Sequence, residues 1–205
     1  MTNVYLEGKI RGYEAYKFVA VIVLILCALF AGKYFFSDNL LADFMVGLAL
    51  GVIGGIIILA VEYYINKQAF YKKGLKLEED IAEKLSKLNI KYESHVETDY
   101  GDLDLLMEKD GLSYGIEAKN WAGEVTFENG SLKVANWDST DVLIGLLRHC
   151  GLVRDKRFGK DSGKFIKPML IFGYKAAINI PQNKVVFHNV EIVITTIKDF
   201  EQYIK

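Results

Sequence analysis

Cysteine and histidine are scarce: two and three in 205 residues. Cys27 and Cys150 lie far apart, one in an apolar run and one in a helical pattern. That excludes a disulfide framework and a thiolate zinc site, and isolated thiols suit a reducing compartment. His95, His149 and His188 do not fall at metal-ligand spacing. His149 beside Cys150 reads as a packing or surface residue, because no third group in the pattern orients a Cys–His pair. P-loop and dinucleotide-binding glycine motifs are missing, so no ATP-driven motor is predicted. Repeats and low-complexity tracts are missing too. Net charge is nearly absent at −1, but this is a cancellation of 25 basic and 26 acidic residues. It leaves room for a local nucleic-acid surface.

Hydrophobic residues make up 51% of the chain, and their excess lies almost wholly before residue 66. Phe18 to Gly32 carries no charge, and Lys33 is followed by Tyr34, Phe35 and Phe36. A lysine at a helix end snorkels to the headgroups, so a first span is predicted over 18–36. A second uncharged run, Phe44 to Val61, closes on Glu62, Tyr63 and Tyr64, as an interfacial aromatic belt does. Glu62 at that border reads as an interfacial carboxylate. Lys9, Arg11 and Lys17 precede the first span, and Lys67, Lys72, Lys73 and Lys76 follow the second. The positive-inside rule then places both termini in the cytoplasm, with the hairpin in the plasma membrane. A cleaved lipoprotein signal at Leu24-Ile25-Leu26-Cys27 is the competing reading, but it leaves the second run unexplained. Gly47, Gly51 and Gly55 fall on one helical face, which reads either as close approach of another helix or a second copy, or equally as the ordinary tolerance of glycine in membrane helices. The expected organisation is 1–17 cytoplasmic, 18–66 a transmembrane helical hairpin, and 67–205 a cytoplasmic domain.

After residue 66 the pattern becomes that of an α/β domain. Leu77, Ile81 and Leu85 recur at helical spacing behind an acidic first turn, Glu78-Glu79-Asp80. Short strands are expected at Val96, 103–107 and 114–118. The turns between them are Tyr100-Gly101-Asp102 and Lys109-Asp110-Gly111. A strand pair follows around Asn129-Gly130, over 124–127 and 132–134. Next come a helix over 139–154 capped by Asp138 or Ser139, a basic loop over 156–167, and a buried strand over 169–172. Strands at 185–187 and 191–195 and a closing helix over 197–204 complete the prediction.

The chemistry concentrates in one hairpin. If 103–107 pairs with 114–118, Asp104 and Glu117 converge near one end of the sheet. Two carboxylates there make a hard-oxygen site suited to Mg²⁺ or Mn²⁺, with the backbone carbonyl of Ala118 as a third ligand. Lys119, two residues past Glu117, shares its face, where an ammonium can orient a water and balance charge on a phosphoryl oxygen. Taken bare, the pattern is weak, because charges alternate on the wet face of many hairpins. The apolar neighbours Leu103, Leu105, Leu106 and Ile116 make the strands partly buried, where lone carboxylates are costly.

Gly101-Asp102-Leu103-Asp104, followed by Gly115-Ile116-Glu117-Ala118-Lys119-Asn120-Trp121-Ala122-Gly123, resembles the nuclease-related (NERD) domain, a branch of the PD-(D/E)XK nuclease superfamily. The resemblance covers roughly residues 74 to 195. It implies a restriction-endonuclease-like core of helix, three-stranded antiparallel meander, helix and strand. It also implies Asp104, Glu117 and Lys119 as the catalytic set, with Glu78 on the first helix joining them. Ile81, Ala82 and Leu85 stand at the family's offsets from Glu78, while Leu77 replaces its usual glycine. Trp137-Asp138-Ser139-Thr140-Asp141 stands where many relatives carry Asn-Pro and Gln. Asp102 is expected to form the turn, Trp121 to pack in the core, and Gly123 to make a tight bend.

Between Arg148 and Lys175, eight basic residues face only Asp155 and Asp161. Arg148, Arg154, Lys156, Arg157, Lys160 and Lys164 are therefore the candidate backbone contacts for DNA, with a solvated loop or anionic lipid as rivals. The expected function is Mg²⁺-dependent phosphodiester hydrolysis in DNA at the membrane. The alternatives are a binding module with little or no cleavage that tethers DNA there, and a self-associating membrane protein whose domain is scaffold.

Overall fold

The structure, a computed structural model, describes residues 40–204 together with Val21 and Ile25, with side chains from Gly51 onward except that of Phe70. The expected cytoplasmic segment 1–17 and nearly all of the first apolar run, 18–36, lie outside the described residues. The chain divides into two compact units, residues 2–72 and 73–205, a little beyond the boundary placed by composition.

One helix, α1 (Leu40–Lys87), runs through 48 residues. The sequence pattern predicted a fresh helix starting near Leu77, and continuity corrects this. Residues 62–76 contain no proline and only Gly74 as a breaker, so nothing stops the helix. Glu78, Glu79 and Asp80 are thus mid-helix rather than at a positive dipole end. The helix stops after Lys87 by a Schellman arrangement. Ile90 donates to Leu85 O at 3.0 Å, Asn89 donates to Ser86 O at 3.0 Å, and Asn89 adopts φ +55°.

Among the described residues no helix is long and apolar enough to cross a membrane. The second apolar run begins at Phe44, and within α1 side chains are described only from Gly51. From Gly51 on, Val52, Ile53, Ile56, Ile58 and Leu59 are all exposed. No described atom comes within 4 Å of a Cβ built on Gly51 or Gly55, and the side-chain position at Gly47 lies outside the description.

The second unit is mixed α/β. Three antiparallel strands follow α1: β1 (Lys91–Thr98), β2 (Gly101–Lys109) and β3 (Leu112–Lys119). A small set comes next, β4 (Gly123–Glu128), β5 (Ser131–Val134) and β6 (Trp137–Asp138), then α2 (Thr140–Phe158). β7 (Ile166–Phe172), β8 (Ala176–Ile178), β9 (Lys184–Phe187) and β10 (Val190–Thr196) complete the unit. The main sheet has the order β1-β2-β3-β7-β10-β9, with β7 parallel to β3; a second sheet has the order β6-β5-β4-β8. Asp110-Gly111 and Asn129-Gly130 take φ of +51°, +75°, +51° and +79°, the left-handed pairs that two-residue hairpins require. Asp138 caps α2, its Oδ1 accepting from Thr140 N at 2.9 Å, while Ser139 makes no such bond. The closing helix expected over 197–204 is only a 3-10 turn, Phe200–Tyr203.

The main sheet is covered on both faces. Leu77, Ile81 and Leu85 of α1 pack with Leu105, Met107, Ile116, Met169 and Ile171. Leu143, Leu146, Cys150 and Val153 of α2 pack with Leu103, Leu106, Leu170 and Phe172. Each fully buried leucine or isoleucine contributes about 1.5–3 kcal/mol. Side chains at 105 and 107 therefore face α1, whereas those at 103 and 106 face α2. The two-residue alternation breaks between them, at Asp104.

Candidate active site where two strands part

The β2–β3 ladder runs from Lys109↔Leu112 to Leu105↔Ile116 and then ends. The next two positions are Asp104 and Glu117. On the other side, β1 pairs Ser94 with Leu105 and Val96 with Leu103, leaving His95 and Asp104 unregistered between them. β3 meanwhile stays paired with β7 as far as Lys119↔Phe172. The sheet thus opens beside Asp104 while Glu117 and Lys119 remain on a fixed strand. Ala118 N donates to Asp104 Oδ2 at 2.7 Å and closes the opening through a side chain. The sequence had pointed to the carbonyl of Ala118; its contact with Asp104 is through the N–H.

Lys119 Nζ lies 2.5 Å from Glu117 Oε1, as expected of two residues on one face. Glu117 Oε2 is buried and has no hydrogen-bond partner among the described residues. Burial pushes the Asp104 carboxyl well above the usual range, and the charges of Glu117 and then Glu78 add to the rise. The Lys119 charge and the Ala118 N–H oppose it. For Lys119 burial works against the charge, but Glu117, Asp104 and Glu78 outweigh it and hold the ammonium above its ordinary value. Three carboxylates against one ammonium leave surplus negative charge in a partly enclosed place. Such a site either keeps a proton or takes a cation.

Glu78 is 13% exposed, and its Oε2 lies 3.4 Å from His95 Nε2. His95 Nδ1 lies 3.3 Å from Asp102 Oδ2, and the Asp102 carbonyl is 3.0 Å from His149 Nδ1. Asp102 therefore belongs to β2 and not to the preceding turn. The turn is Asp99-Tyr100, since Thr98 registers with Gly101. A turn centred later sets the wrong register and hides His95. With the observed one, His95 stands opposite Asp104.

The six basic candidates have different surroundings. The Arg148 guanidinium lies 5.2 Å from the Tyr100 ring centre, near the start of β2. Arg154 pairs with Asp155 at 2.5 Å, and Arg157 pairs with Glu93 of β1. Lys164 sits 4.5 Å from the Phe158 ring centre, while Lys156 and Lys160 are exposed. Trp121 packs against Phe172 at 6.2 Å between ring centres, and Gly123 takes φ +112°, as the bend required.

Cys150 on α2 faces Gly115 of β3. Burial, with Glu117 adding to it, raises its thiol to about 12. Since the thiolate is the reactive form, Cys150 in a Cys27→Ser background is expected to resist alkylation at about pH 8 and to react only in denaturant. Stoichiometric labelling of the native chain would contradict this burial.

Among the described residues no group of three or more His, Cys, Asp or Glu side chains is gathered to hold a metal ion. Mg²⁺ needs fewer, because it commonly takes one or two carboxylates and fills its remaining positions with water and substrate oxygens. Asp104 and Glu117 fit that requirement, and Glu117 Oε2 lacks a hydrogen-bond partner among the described residues. No family model, curated protein or solved structure matches the chain.

Proposed function

We propose that residues from about 67 onward form a nuclease-related domain of the PD-(D/E)XK type, hydrolysing phosphodiester bonds in DNA. The observation that carries this is the opening at the end of the β2–β3 ladder. There Asp104 comes to stand beside Glu117 and the ammonium of Lys119. The reading is supported by the order of elements in the second unit, where the end of α1, three antiparallel strands, α2 and β7 follow one another, with β4, β5 and β6 inserted before α2.

Asp104 and Glu117 would hold Mg²⁺ or Mn²⁺, with the Ala118 carbonyl as the further ligand the family pattern offers. The cation would supply positive charge against the phosphoryl oxygens and lower the pKa of water. Lys119 stays protonated through neutral pH, so it orients the attacking water and balances charge on the phosphoryl group. Glu78 adds a carboxylate that orders water at the same place. Arg148, beside Tyr100 in the turn before β2, is one basic candidate for a backbone contact. The full chain with Mg²⁺ or Mn²⁺ is expected to cut DNA, and Lys119→Ala to lower the rate about 10²–10³-fold. Equal rates in both proteins, or cutting unaffected by a chelator, would sink the assignment. The small ligand set favours a second reading, a DNA-binding module without cleavage. Salt-sensitive binding with no cutting under any divalent metal would select it.

Residues 18–66 are proposed to anchor the domain in the plasma membrane as a helical hairpin with both termini cytoplasmic. Support comes from the uncharged runs in the sequence and the exposed side chains around α1 from Val52 to Leu59. Such a helix, apolar all round, wants lipid or other helices. The Gly47, Gly51 and Gly55 face would receive one of those helices. The chain is expected to stay with membranes through alkaline carbonate washing; release into the supernatant refutes the anchor.

A further inference from the structure

We propose that His95 is a positioning residue that holds the Glu78 carboxylate in the active site. The inference rests on the nuclease reading above. It starts from the backbone. His95 takes φ +54° in the middle of β1, a region that side-chain-bearing residues seldom enter outside turns. A histidine that holds this conformation in a strand is kept there by its surroundings, and such outliers cluster where geometry serves function.

The ring accounts for it. Nε2 lies 3.4 Å from Glu78 Oε2 and Nδ1 lies 3.3 Å from Asp102 Oδ2, so the imidazole stands between a helix and a neighbouring strand and, with a proton on each nitrogen, donates toward both carboxylates. Asp102 is itself tied to α2, through the His149 contact to its carbonyl at 3.0 Å. The bridge therefore has an anchored end at Asp102 and a working end at Glu78. His95 also occupies the position opposite Asp104, where both strands go unregistered. With φ in the strand region the side chain would leave the strand in another direction and lose both contacts. Ligand-orienting partners of this kind typically change metal affinity or activity by 10–100-fold when removed.

The two nitrogens can be separated by substitution. A glutamine amide reaches roughly where Nε2 lies, and an asparagine amide roughly where Nδ1 lies. Asparagine and glycine also tolerate positive φ better than glutamine does. Binding of Mn²⁺ to the full chain by titration calorimetry, kcat and KM for DNA cleavage, and the metal-free Tm would be measured for each variant. His95→Gln is expected to stay within about threefold of wild type in Mn²⁺ affinity and kcat, despite a lower Tm. His95→Asn and His95→Gly are expected to keep or raise the metal-free Tm. They should nonetheless lose about tenfold or more in Mn²⁺ affinity and kcat, with KM little changed. Glu78→Gln should reproduce that loss, and His95→Asn combined with Glu78→Gln should add nothing to it. The positioning role is overturned if His95→Asn binds Mn²⁺ and cleaves as wild type does, or if the double variant loses the product of the single losses. A wild-type chain that neither binds Mn²⁺ nor cuts DNA overturns the nuclease reading along with it. The wild-type measurement alone tells these failures apart.

Discussion

Asp104→Asn is expected to make the protein more stable at neutral pH and to lower cleavage about 10³-fold. Both effects have one cause. Burial, Glu117 and Glu78 raise the folded carboxyl above its ordinary value of 3.8, so the folded state binds this proton more tightly than the unfolded chain does. Stability from this group is therefore full below 3.8 and falls as pH climbs toward the raised folded value. Asparagine carries no such charge, and its amide oxygen still accepts from Ala118 N. A gain in stability is therefore expected near pH 7. For a chain of this size it moves Tm by roughly 2–4 °C per kcal/mol. Melting curves of both proteins should coincide in acid and separate as pH rises. A variant less stable than wild type at neutral pH would show that the carboxylate is not held under strain. Undiminished cutting would remove Asp104 from the catalytic set.

Gly115→Ala is expected to cost about 1–3 kcal/mol, although alanine is the smallest possible addition. A Cβ there falls inside the contact radius of Cys150 Sγ and 3.2 Å from both Ile166 and Leu103. All three neighbours are buried, and they belong to three different elements, α2, β7 and β2. Because Glu117 lies two residues on along the same strand, the strain also reaches the site and cleavage should fall. Cys150→Ala removes the obstructing sulfur. Urea denaturation of the two single variants and the double should give a coupling of about 1 kcal/mol or more in the rescuing direction. Strict additivity would mean that β3 and α2 relax independently at this contact.

The parts of the fold that were legible in the sequence are those that backbone chemistry dictates locally. Asp110-Gly111 and Asn129-Gly130 announce turns because few other residue pairs take two positive φ values in succession. Glu117 and Lys119 share a face by the strand period alone, and their contact follows. What stayed hidden depends on register and on long-range packing. The alternation of β2 slips at Asp104, which a strict period of two cannot anticipate. His95 shows no ligand spacing in the sequence, and its place opposite Asp104 comes only from the β1–β2 register. The end of α1 carries the expected apolar face, yet its start lies far upstream, since only a breaker would have marked a boundary. The basic residues of α2 and the following loop look continuous in sequence. Two of them are paired with acidic partners, Arg154 with Asp155 and Arg157 with Glu93, the second of which lies on a strand distant in the sequence.

The parallel join of β3 to β7 spans residues 120–165, with β4, β5, β6 and α2 in between. Hairpins close within microseconds, whereas a contact across so long a loop must first overcome the entropy of closing it. Asp104 and Glu117 belong to the local hairpin, and the strand that backs Glu117 arrives from far along the chain. The order of assembly then favours meeting the two carboxylates while water still surrounds them, and shutting them in afterwards. The slow step of refolding should accordingly be the docking of β7, and it should respond to substitutions at Met169 and Leu170 more than to any at Asp110 or Gly111.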